Sequence, residues 1–413
     1  MARTSSRILP TPMRTLFAFL VAAGLTGSAL AQQPTTEQLN ARFLAGPSAV
    51  ESIGMRTVWQ TQVPSVDHSS MVRVFPAEGD SVFVTDSTSH LARVLTSTGL
   101  TVWQNACGRG HDRVHDVDRA RIGAVDEVLV TLDSAIAVLD SGNGTFSRGQ
   151  KLERIPTTQS ALYGRFLIFG AKGGFVAWQQ YLVGCFWKSN EIGGLIKSAP
   201  ILVGSSVAVG STSGQLALLD AQTTRQIWRK KLGGPIEGQV AAGAGAIYAA
   251  CGDHAVHAYE EATGALRWRY ITESPLTSDV FCDGELVYTQ VPRQGLVAIS
   301  AAAATMNAEG THEVLGRDGT LRWKSPAPGT VICKVADHVL VWDAPSHTLS
   351  ALHTTDGSTS ATLTLPRVIS LAVTGPIDPD LYLLSSDGAL QRCEARVRAT
   401  QQARDVAAQA TAP

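Results

Sequence analysis

Residues 205–228 read SSVAVGSTSGQLALLDAQTTRQIW, and residues 245–268 repeat the pattern as GAIYAACGDHAVHAYEEATGALRW. Each copy contains a β-branched run, a turn rich in Gly or Ser, a second apolar run, an acidic turn and a Trp. Short runs rich in Val, Ile and Tyr between turn residues are typical of β-strands. Turn residues interrupt every run too early for a buried helix. The pattern therefore predicts a repeat built from short strands.

The second strand of this repeat occurs eight times, and most copies are about 40 residues apart. The copies are SVFV (81–84), EVLV (127–130), RFLI (165–168), SVAV (206–209), AIYA (246–249), ELVY (285–288), HVLV (338–341) and DLYL (380–383). A period near 40 residues with four strands per unit is typical of a β-propeller. The sequence therefore predicts an all-β, eight-bladed β-propeller of four-stranded antiparallel blades.

The last strand of each repeat is marked by aromatic residues. Six copies have Trp at its start: Trp59, Trp103, Trp187, Trp228, Trp268 and Trp323. Two weaker copies have Phe146 and Ala361 at about this place. The strand near Trp59 has no strands before it, and the last three strands, which end near Cys393, lack a closing strand. We therefore expect the N-terminal strand to complete the C-terminal blade, which also removes exposed sheet edges. The six Trp side chains are expected to be structural and to pack between blades.

The order of strand, Gly turn, strand, acidic turn and Trp resembles the pyrroloquinoline-quinone (PQQ)-like repeat. Residues 219–224 with Trp228 and residues 259–264 with Trp268 fit this repeat, and residues 353–357 form a degenerate copy. The resemblance implies a propeller fold, and it leaves the function open because one fold supports many functions.

The N-terminus has the features of a secretory signal peptide. Arg3, Arg7 and Arg14 precede or border an apolar stretch at 16–25, and the small residues at 29–31 (ALA) form a cleavage site. The apolar stretch is too short for a stable membrane-spanning helix. We expect an exported, periplasmic or extracellular protein with no transmembrane span after cleavage.

The sequence divides into four segments on this interpretation: a signal peptide at 1–31, an N-terminal linker at 32–51, the PQQ-like β-propeller at 52–395 and a disordered or helical tail at 396–413. The formal net charge is −1, so the charge predicts no nucleic-acid partner. Six Cys are spread along the chain without a CxxC motif. Most are expected to be buried apolar residues, and a disulfide is left open.

Catalytic motifs are absent from the sequence. PQQ-dependent quinoprotein dehydrogenases share the repeat, and they resemble one another in having adjacent cysteines and a calcium site of Glu, Asn and Asp. This chain has no Cys-Cys pair, and no calcium ligands can be mapped onto it. We therefore predict no enzyme activity, no cofactor and no metal. The stretch 111–118 (HDRVHDVD) has the residue types of a divalent-metal site, but we interpret it as a solvated loop between blades.

In length, blade count and export the chain looks similar to the propeller subunit of the outer-membrane protein assembly machine (BamB-like). That resemblance implies a non-catalytic scaffold that binds an envelope or outer-membrane protein, and we expect the chain to be a monomer. The chain departs from that family in having no Cys near the cleavage site for lipid attachment. Two alternatives remain: a sensor that binds a small molecule or glycan, and a PQQ-dependent dehydrogenase.

An insertion between Ile299 and Leu321 is the most distinctive loop of the predicted ring. Loops carry binding functions more often than the elements they connect. The insertion mixes apolar anchors with polar residues, as protein interfaces do. We predict it to be the candidate interaction loop, with Met306, His312, Glu313, Val314 and Leu315 as contact residues.

Overall fold

The structure, a computed structural model, describes residues 36–66, 68–109, 112–122, 125–182, 187–301, 304–306, 312–314 and 318–397. Two short helices, α1 (Thr36–Arg42) and α2 (Pro47–Ser52), come first. Strand β1 (Met55–Gln62) follows them. Together with β1, the strands that follow form eight four-stranded antiparallel sheets and one small hairpin.

Blades 1 to 4 use their strands in chain order. They are blade 1 with β2 (Met71–Pro76), β3 (Ser81–Asp86), β4 (His90–Leu95) and β5 (Thr101–Ala106); blade 2 with β6 (Val114–Ile122), β7 (Val125–Leu132), β8 (Ala135–Asp140) and β9 (Phe146–Lys151); blade 3 with β10 (Pro156–Tyr163), β11 (Phe166–Ala171), β12 (Phe175–Gln180) and β13 (Trp187–Glu191); and blade 4 with β14 (Ile201–Val203), β15 (Ser206–Gly210), β16 (Gln215–Asp220) and β17 (Gln226–Lys231).

Blades 5 to 8 complete the ring. They are blade 5 with β18 (Ala241–Gly243), β19 (Ala246–Cys251), β20 (Ala255–Glu260) and β21 (Leu266–Ile271); blade 6 with β22 (Val280–Cys282), β23 (Leu286–Val291), β24 (Gly295–Ser300) and β27 (Leu321–Ser325); blade 7 with β28 (Thr330–Val335), β29 (His338–Asp343), β30 (Thr348–His353) and β31 (Thr359–Thr364); and blade 8 with β32 (Val368–Val373), β33 (Asp380–Ser385), β34 (Ala389–Ala395) and β1.

All eight second strands anticipated from the sequence are second strands of blades, so the predicted eight-bladed propeller is confirmed. The first strands of neighbouring blades contact one another around the ring, and they therefore surround its axis. Apolar clusters lie between blades: Leu218 and Trp228 of blade 4, for example, pack with Ile247 and Tyr259 of blade 5. Each blade thus buries its faces against two neighbours.

The N-terminal strand closes the ring, as predicted. Strand β1 pairs antiparallel with β34, and Trp59 lies opposite Arg392 while Thr61 lies opposite Leu390. Nε of Arg56 donates to Oε1 of Glu394 at 2.5 Å across the same pair. Blade 8 therefore joins the two end segments of the described chain, and β34 is paired on both of its edges.

Residues 36–52, assigned from the sequence mostly to a linker, pack against this closure. The side-chain oxygen of Gln391 accepts from N of Ala45, and its side-chain nitrogen donates to O of Ala45, both at 2.8 Å. Gln60 bonds the backbone of Leu44 in the same way through its side-chain oxygen at 2.7 Å. Val50 is buried in the cluster that contains Cys393. The segment is therefore a folded cover on blade 8.

Four Trp side chains, on blades 8, 1, 4 and 6, each link their blade to the next through one type of hydrogen bond. The indole Nε1 donates to the backbone carbonyl that follows the third strand of the next blade, at 2.7–2.9 Å. The pairs are Trp59 with Thr96, Trp103 with Ser141, Trp228 with Glu261, and Trp323 with Thr354. Because a buried indole N–H needs an acceptor, this bond fixes where the neighbouring turn sits.

The glycine of the same turn lies against the indole ring. A Cβ added at Gly264, where φ is +66°, would lie 2.8 Å from Trp228. A Cβ at Gly357, where φ is +72°, would lie 2.3 Å from Trp323. Both the backbone conformation and the close approach of the ring therefore require glycine, which explains why the turn and the Trp recur together in the repeat.

Blade 3 departs from the sequence-based assignment of its Trp. Trp187 pairs with Gln179 and is 38% exposed. The fully buried Trp178, on the third strand, donates Nε1 to O of Ala221 at 3.0 Å instead. In blade 4 a bulge places Trp228 opposite Leu218. The β12–β13 pair has no such bulge. Because a one-residue change of register moves a side chain to the other face of the sheet, Trp187 does not take the position that Trp228 has in blade 4.

The two weaker copies also differ from one another. Phe146 is 62% exposed, and two residues later Arg148 donates Nη2 to O of Tyr181 at 2.9 Å, in the place of the indole. Ala361 pairs with Ala351 on blade 7 and offers no ring. Trp268 is buried, but within the described residues its Nε1 has no partner, and the blade that follows it carries the insertion.

Replacing Trp178 with Phe should lower the free energy of unfolding by about 1–3 kcal/mol, because the carbonyl of Ala221 then stays buried without its donor. Trp187→Phe is the matched control and should change it by less than about 0.5 kcal/mol, since that side chain is partly exposed. Urea unfolding followed by far-UV circular dichroism measures both. Equal losses would contradict the assignment of Trp178 as the link between blades.

Candidate functional site

The axis of the ring is lined by charged and polar side chains that pair between blades. At the end where the first strands begin, a cavity of about 320 Å³ is lined by residues of blades 1 to 6. Across it, Nζ of Lys197 bonds Oε2 of Glu237 at 2.8 Å, and N of Gln239 bonds Oδ1 of Asp279 at 2.7 Å. The charges at this end therefore stabilise contacts between neighbouring blades.

Two carboxyl groups lie side by side farther along the axis. Asp116 and Asp118 are two residues apart on β6, so both project from the same face of the strand. Ser160 of blade 3 lies between them: its backbone N donates to Oδ2 of Asp116 at 2.8 Å, and its hydroxyl donates to Oδ2 of Asp118 at 2.9 Å. The two acids therefore connect blade 2 to blade 3.

The environment of these acids favours their protonated forms. Burial raises the pKa of Asp118 well above its usual value, and the neighbouring Asp116 carboxylate raises it further. Burial also raises the pKa of Asp116, against hydrogen bonds from Ser160 and Val117. Two buried carboxyl groups this close favour retention of a proton, because both cannot ionise without repulsion. Raised pKa values are common at catalytic sites and also occur in structural networks, and here both acids are bonded to the next blade.

A larger cavity of about 560 Å³ opens at the other end of the axis, where the first strands end. Its lining includes Glu78, Asp118, Arg121 and one aromatic side chain, Tyr181. The hydroxyl of Tyr181 donates to O of Gly164 at 2.9 Å. Small-molecule pockets are usually lined mainly by apolar and aromatic side chains, so this polar cavity with a single aromatic resembles them little.

Arg119, which lines this cavity, belongs to an arginine network. Arg119 donates to Asp80, and its Nη2 lies 2.6 Å from Oδ2 of Asp126. Arg93 also lies 3.1 Å from the same Asp80 carboxylate. Although burial opposes the change, hydrogen bonds from Arg119 and Ser81 hold the pKa of Asp80 well below its usual value. Arg119 and Arg93 thus form ion pairs with carboxylates of the protein itself.

The candidate interaction loop contains a hairpin. Strands β25 (Ala304–Met306) and β26 (His312–Val314) pair antiparallel, with Met306 opposite His312 and Thr305 opposite Glu313. The hairpin lies between the third and fourth strands of blade 6, where the sequence placed the loop. Leu315 lies outside the described residues. The fold therefore brings Met306, His312, Glu313 and Val314 together on one small sheet.

The stretch 111–118 is organised differently from the predicted loop. His111 lies outside the described residues, and from Val114 onward the chain is β6, the inner strand of blade 2. Nε2 of His115 lies 2.8 Å from Oδ1 of Asp133. Sequence reasoning missed this strand because the face toward the axis carries Asp116 and Asp118, so the apolar alternation that marks a strand is lost.

Five cysteines lie in the described part of the chain, and all are free: Cys107, Cys251, Cys282, Cys333 and Cys393. Cys185 lies outside it. Four of the five are buried, as expected of small apolar residues. Burial raises the pKa of the Cys251 thiol to about 11. Among the described residues, no helix is long and apolar enough to cross a membrane.

Comparison with known proteins agrees with this architecture. A family model described as outer membrane protein assembly factor BamB matches residues 213–308, from blade 4 into blade 6. The crystal structure of BamB from Moraxella catarrhalis matches with a TM-score of 0.62, covering 82% of this chain and 97% of that chain. The chain is an eight-bladed β-propeller that resembles BamB in fold.

The likeness to BamB concerns the fold, because the sequence identity is 16%. The computationally designed Ika8 protein matches with a TM-score of 0.58 and 12% identity, over 82% of this chain and 98% of that chain. In all, 1625 solved chains match, so the fold by itself selects no single function. The sequence matches no curated protein.

At neutral pH, Asp118→Asn should raise the stability of the fold and Asp80→Asn should lower it, and both effects should shrink as the pH falls. The folded-state pKa of Asp118 is raised, so its ionisation penalises the fold above the unfolded value near pH 4. Asn removes this penalty and should raise the unfolding midpoint at pH 7–8 by roughly 1–3 °C, the shift expected for about 1 kcal/mol in a large domain. Below pH 4 the gain should disappear.

Asp80 has a lowered pKa, so its ionised form stabilises the fold above pH 4 and loses this effect as the pH falls through the folded-state value. Asp80→Asn should therefore lower the midpoint at neutral pH, and the loss should shrink toward pH 3. Scanning fluorimetry between pH 3 and pH 8 measures both variants. A loss of stability in Asp118→Asn at pH 8 would contradict the raised pKa.

Proposed function

We propose that the chain is a non-catalytic, exported β-propeller that binds a protein partner in the cell envelope and acts as a scaffold in outer-membrane protein assembly. The hairpin β25–β26 is the observation that carries this proposal. The ring is complete without it, since blade 6 has its four strands, and nothing in the pairing of the blades requires it. An element that the fold does not need is available for binding.

The polar groups inside the ring bond to one another and stabilise the contacts between blades. Arg119 is bonded to Asp80 and Asp126, and the acids of β6 are bonded to Ser160. A substrate site normally keeps polar groups directed at its ligand. The sequence also lacks the adjacent cysteines of quinoprotein dehydrogenases. Both observations favour a binding protein over an enzyme.

The resemblance to BamB and the N-terminal sequence support the place of action. BamB is named as an outer membrane protein assembly factor. Residues 1–31 have the basic, apolar and small-residue regions of a signal peptide, and export would bring the propeller to the envelope. We propose that it works there as a monomer, with an envelope or outer-membrane protein as its partner and without nucleic acid.

A second candidate function is binding of a small polar molecule or glycan. The cavity of about 560 Å³ at the end of the axis favours it, because its volume lies within the range of ligand sites, about 300–1,000 Å³. Its polar lining would suit a sugar or another hydroxyl-rich molecule better than an apolar one. Binding of such a molecule to the purified chain would favour this alternative if it also slowed hydrogen exchange of the backbone around Arg121, which lines the cavity.

Deleting residues 303–316 and joining the ends with two glycines should leave the unfolding midpoint within a few degrees of that of the full chain, because no blade strand is removed. The same deletion should abolish co-purification of the envelope partners that the full chain retains. Met306→Glu should weaken co-purification without a change in stability, since a charge at an apolar anchor opposes binding.

Leu100→Glu is the matched control. Leu100 is an exposed apolar residue between the third and fourth strands of blade 1, the same type of connection as the hairpin, and its substitution should leave co-purification unchanged. Partners retained after deletion of the hairpin would show that the interface lies elsewhere on the ring. A collapse in stability would show that the hairpin belongs to the core.

A further inference from the structure

A cluster of two histidines and one aspartate lies on blade 7, at the end of the ring that also carries the hairpin. Ala336 and Asp337 form the tight turn between β28 and β29, and Val335 pairs with His338 across it. His338 also pairs with His353 of β30 on its other side. The strand pairing of blade 7 therefore fixes Asp337, His338 and His353 next to one another.

The potential ligand atoms of these side chains converge. Nδ1 of His338 lies 2.7 Å from Oδ1 of Asp337, and Nδ1 of His353 lies 3.9 Å from Oδ2 of the same carboxylate. The two imidazole rings have centroids 4.2 Å apart. One ligand atom from each residue lies within 4.8 Å of the others. The Asp337 side chain is 69% exposed, so an ion can reach the cluster from solvent.

The backbone of the turn is held from both sides. N of Ala336 donates to Oδ1 of Asp378 in blade 8 at 2.8 Å. The carbonyl of Asp337 accepts from N of Thr354 at 2.9 Å and from its hydroxyl at 3.1 Å. A binding site on strands, with its turn anchored in this way, holds its geometry better than a site on a free loop.

Among the described residues, His338 is paired through only one of its two ring nitrogens, Nδ1. Its Nε2 is buried and has no partner among the described residues, although buried polar atoms are normally paired. Two imidazoles and one carboxylate form a borderline ligand set. Zinc, nickel and copper bind such a set well, whereas magnesium and calcium prefer oxygen ligands alone.

We propose that Asp337, His338 and His353 bind one divalent transition-metal ion, with zinc as the representative ion. Three protein ligands leave at least one position of a tetrahedral ion open. Water or a side chain of a bound protein can fill that position. The site is additional to the proposed scaffold function and does not depend on it.

A second cluster, Cys251, Asp253 and His257 of blade 5, also has ligand atoms within 4.8 Å of one another. The two clusters share the pairing of a histidine with its aspartate, since Nε2 of His257 lies 3.0 Å from both carboxylate oxygens of Asp253. They differ in access from solvent: Cys251 and His257 are buried, whereas the Asp337 side chain is exposed. We therefore place the ion on blade 7, and the experiment separates the two clusters.

The test is titration of the full chain with zinc chloride, by calorimetry, after removal of metals and without a histidine tag. One equivalent should bind and raise the unfolding midpoint. His338→Ala and His353→Ala should each weaken binding by tenfold or more, since even loss of a residue that only supports a ligand costs about 10–100-fold. Cys251→Ser should bind zinc like the unchanged chain.

Asp337→Asn provides the variant least able to disturb folding, because the side chain is exposed on a turn whose backbone bonds are unchanged. It should weaken zinc binding while its unfolding midpoint without metal stays the same. The proposal is overturned if the unchanged chain binds no zinc, if the histidine variants bind it as tightly as the unchanged chain, or if Cys251→Ser removes the binding.

Discussion

Strand β1 carries two of the contacts that close the ring, its antiparallel pairing with β34 and the indole N–H of Trp59 that donates to O of Thr96 in blade 1. The first contact completes blade 8, and the second repeats the indole link that starts from blades 1, 3, 4 and 6. Because every blade buries apolar surface against two neighbours, an open ring would expose a blade face at each end. Hydrogen bonds between the side chains of Gln60 and Gln391 and the backbone of residues 42–45 hold the N-terminal segment over this closure.

The repeated pattern was sufficient to predict the blades but not every role within them. Strand runs such as AIYA at 246–249 are buried at every position, and they were located correctly. Trp187 was misassigned because the bulge that positions Trp228 is absent from blade 3, and a bulge leaves little trace in local sequence. The inner strand β6 was missed because its axis-facing residues are acidic. The cover at 36–52 was taken mostly for a linker because its helices are only six or seven residues long.

The candidate sites could be predicted less well than the fold, for a physical reason. The hairpin was located as an insertion because it breaks the period of the repeat, although its two strands are too short to be recognised from sequence. The Asp337 cluster depends on the pairing of His338 with His353, which are fifteen residues apart in the chain. Only the register of β29 and β30 brings them together, and the register is a property of the whole blade. The raised pKa values of the acids of β6 likewise come from burial in the assembled ring, against hydrogen bonds from Ser160 of blade 3.

A ring that uses its repeated residues to hold its own blades leaves the turns and insertions free for function. The ring therefore depends on closure by β1, and native-state hydrogen exchange with mass spectrometry tests this closure most directly. We predict that amides of residues 55–62 and 389–395 exchange as slowly as those of β19 and β20 in blade 5, because they open only when the ring opens. Fast exchange of residues 55–62, with blade 5 still protected, would show that β1 is not part of the ring and would contradict the account.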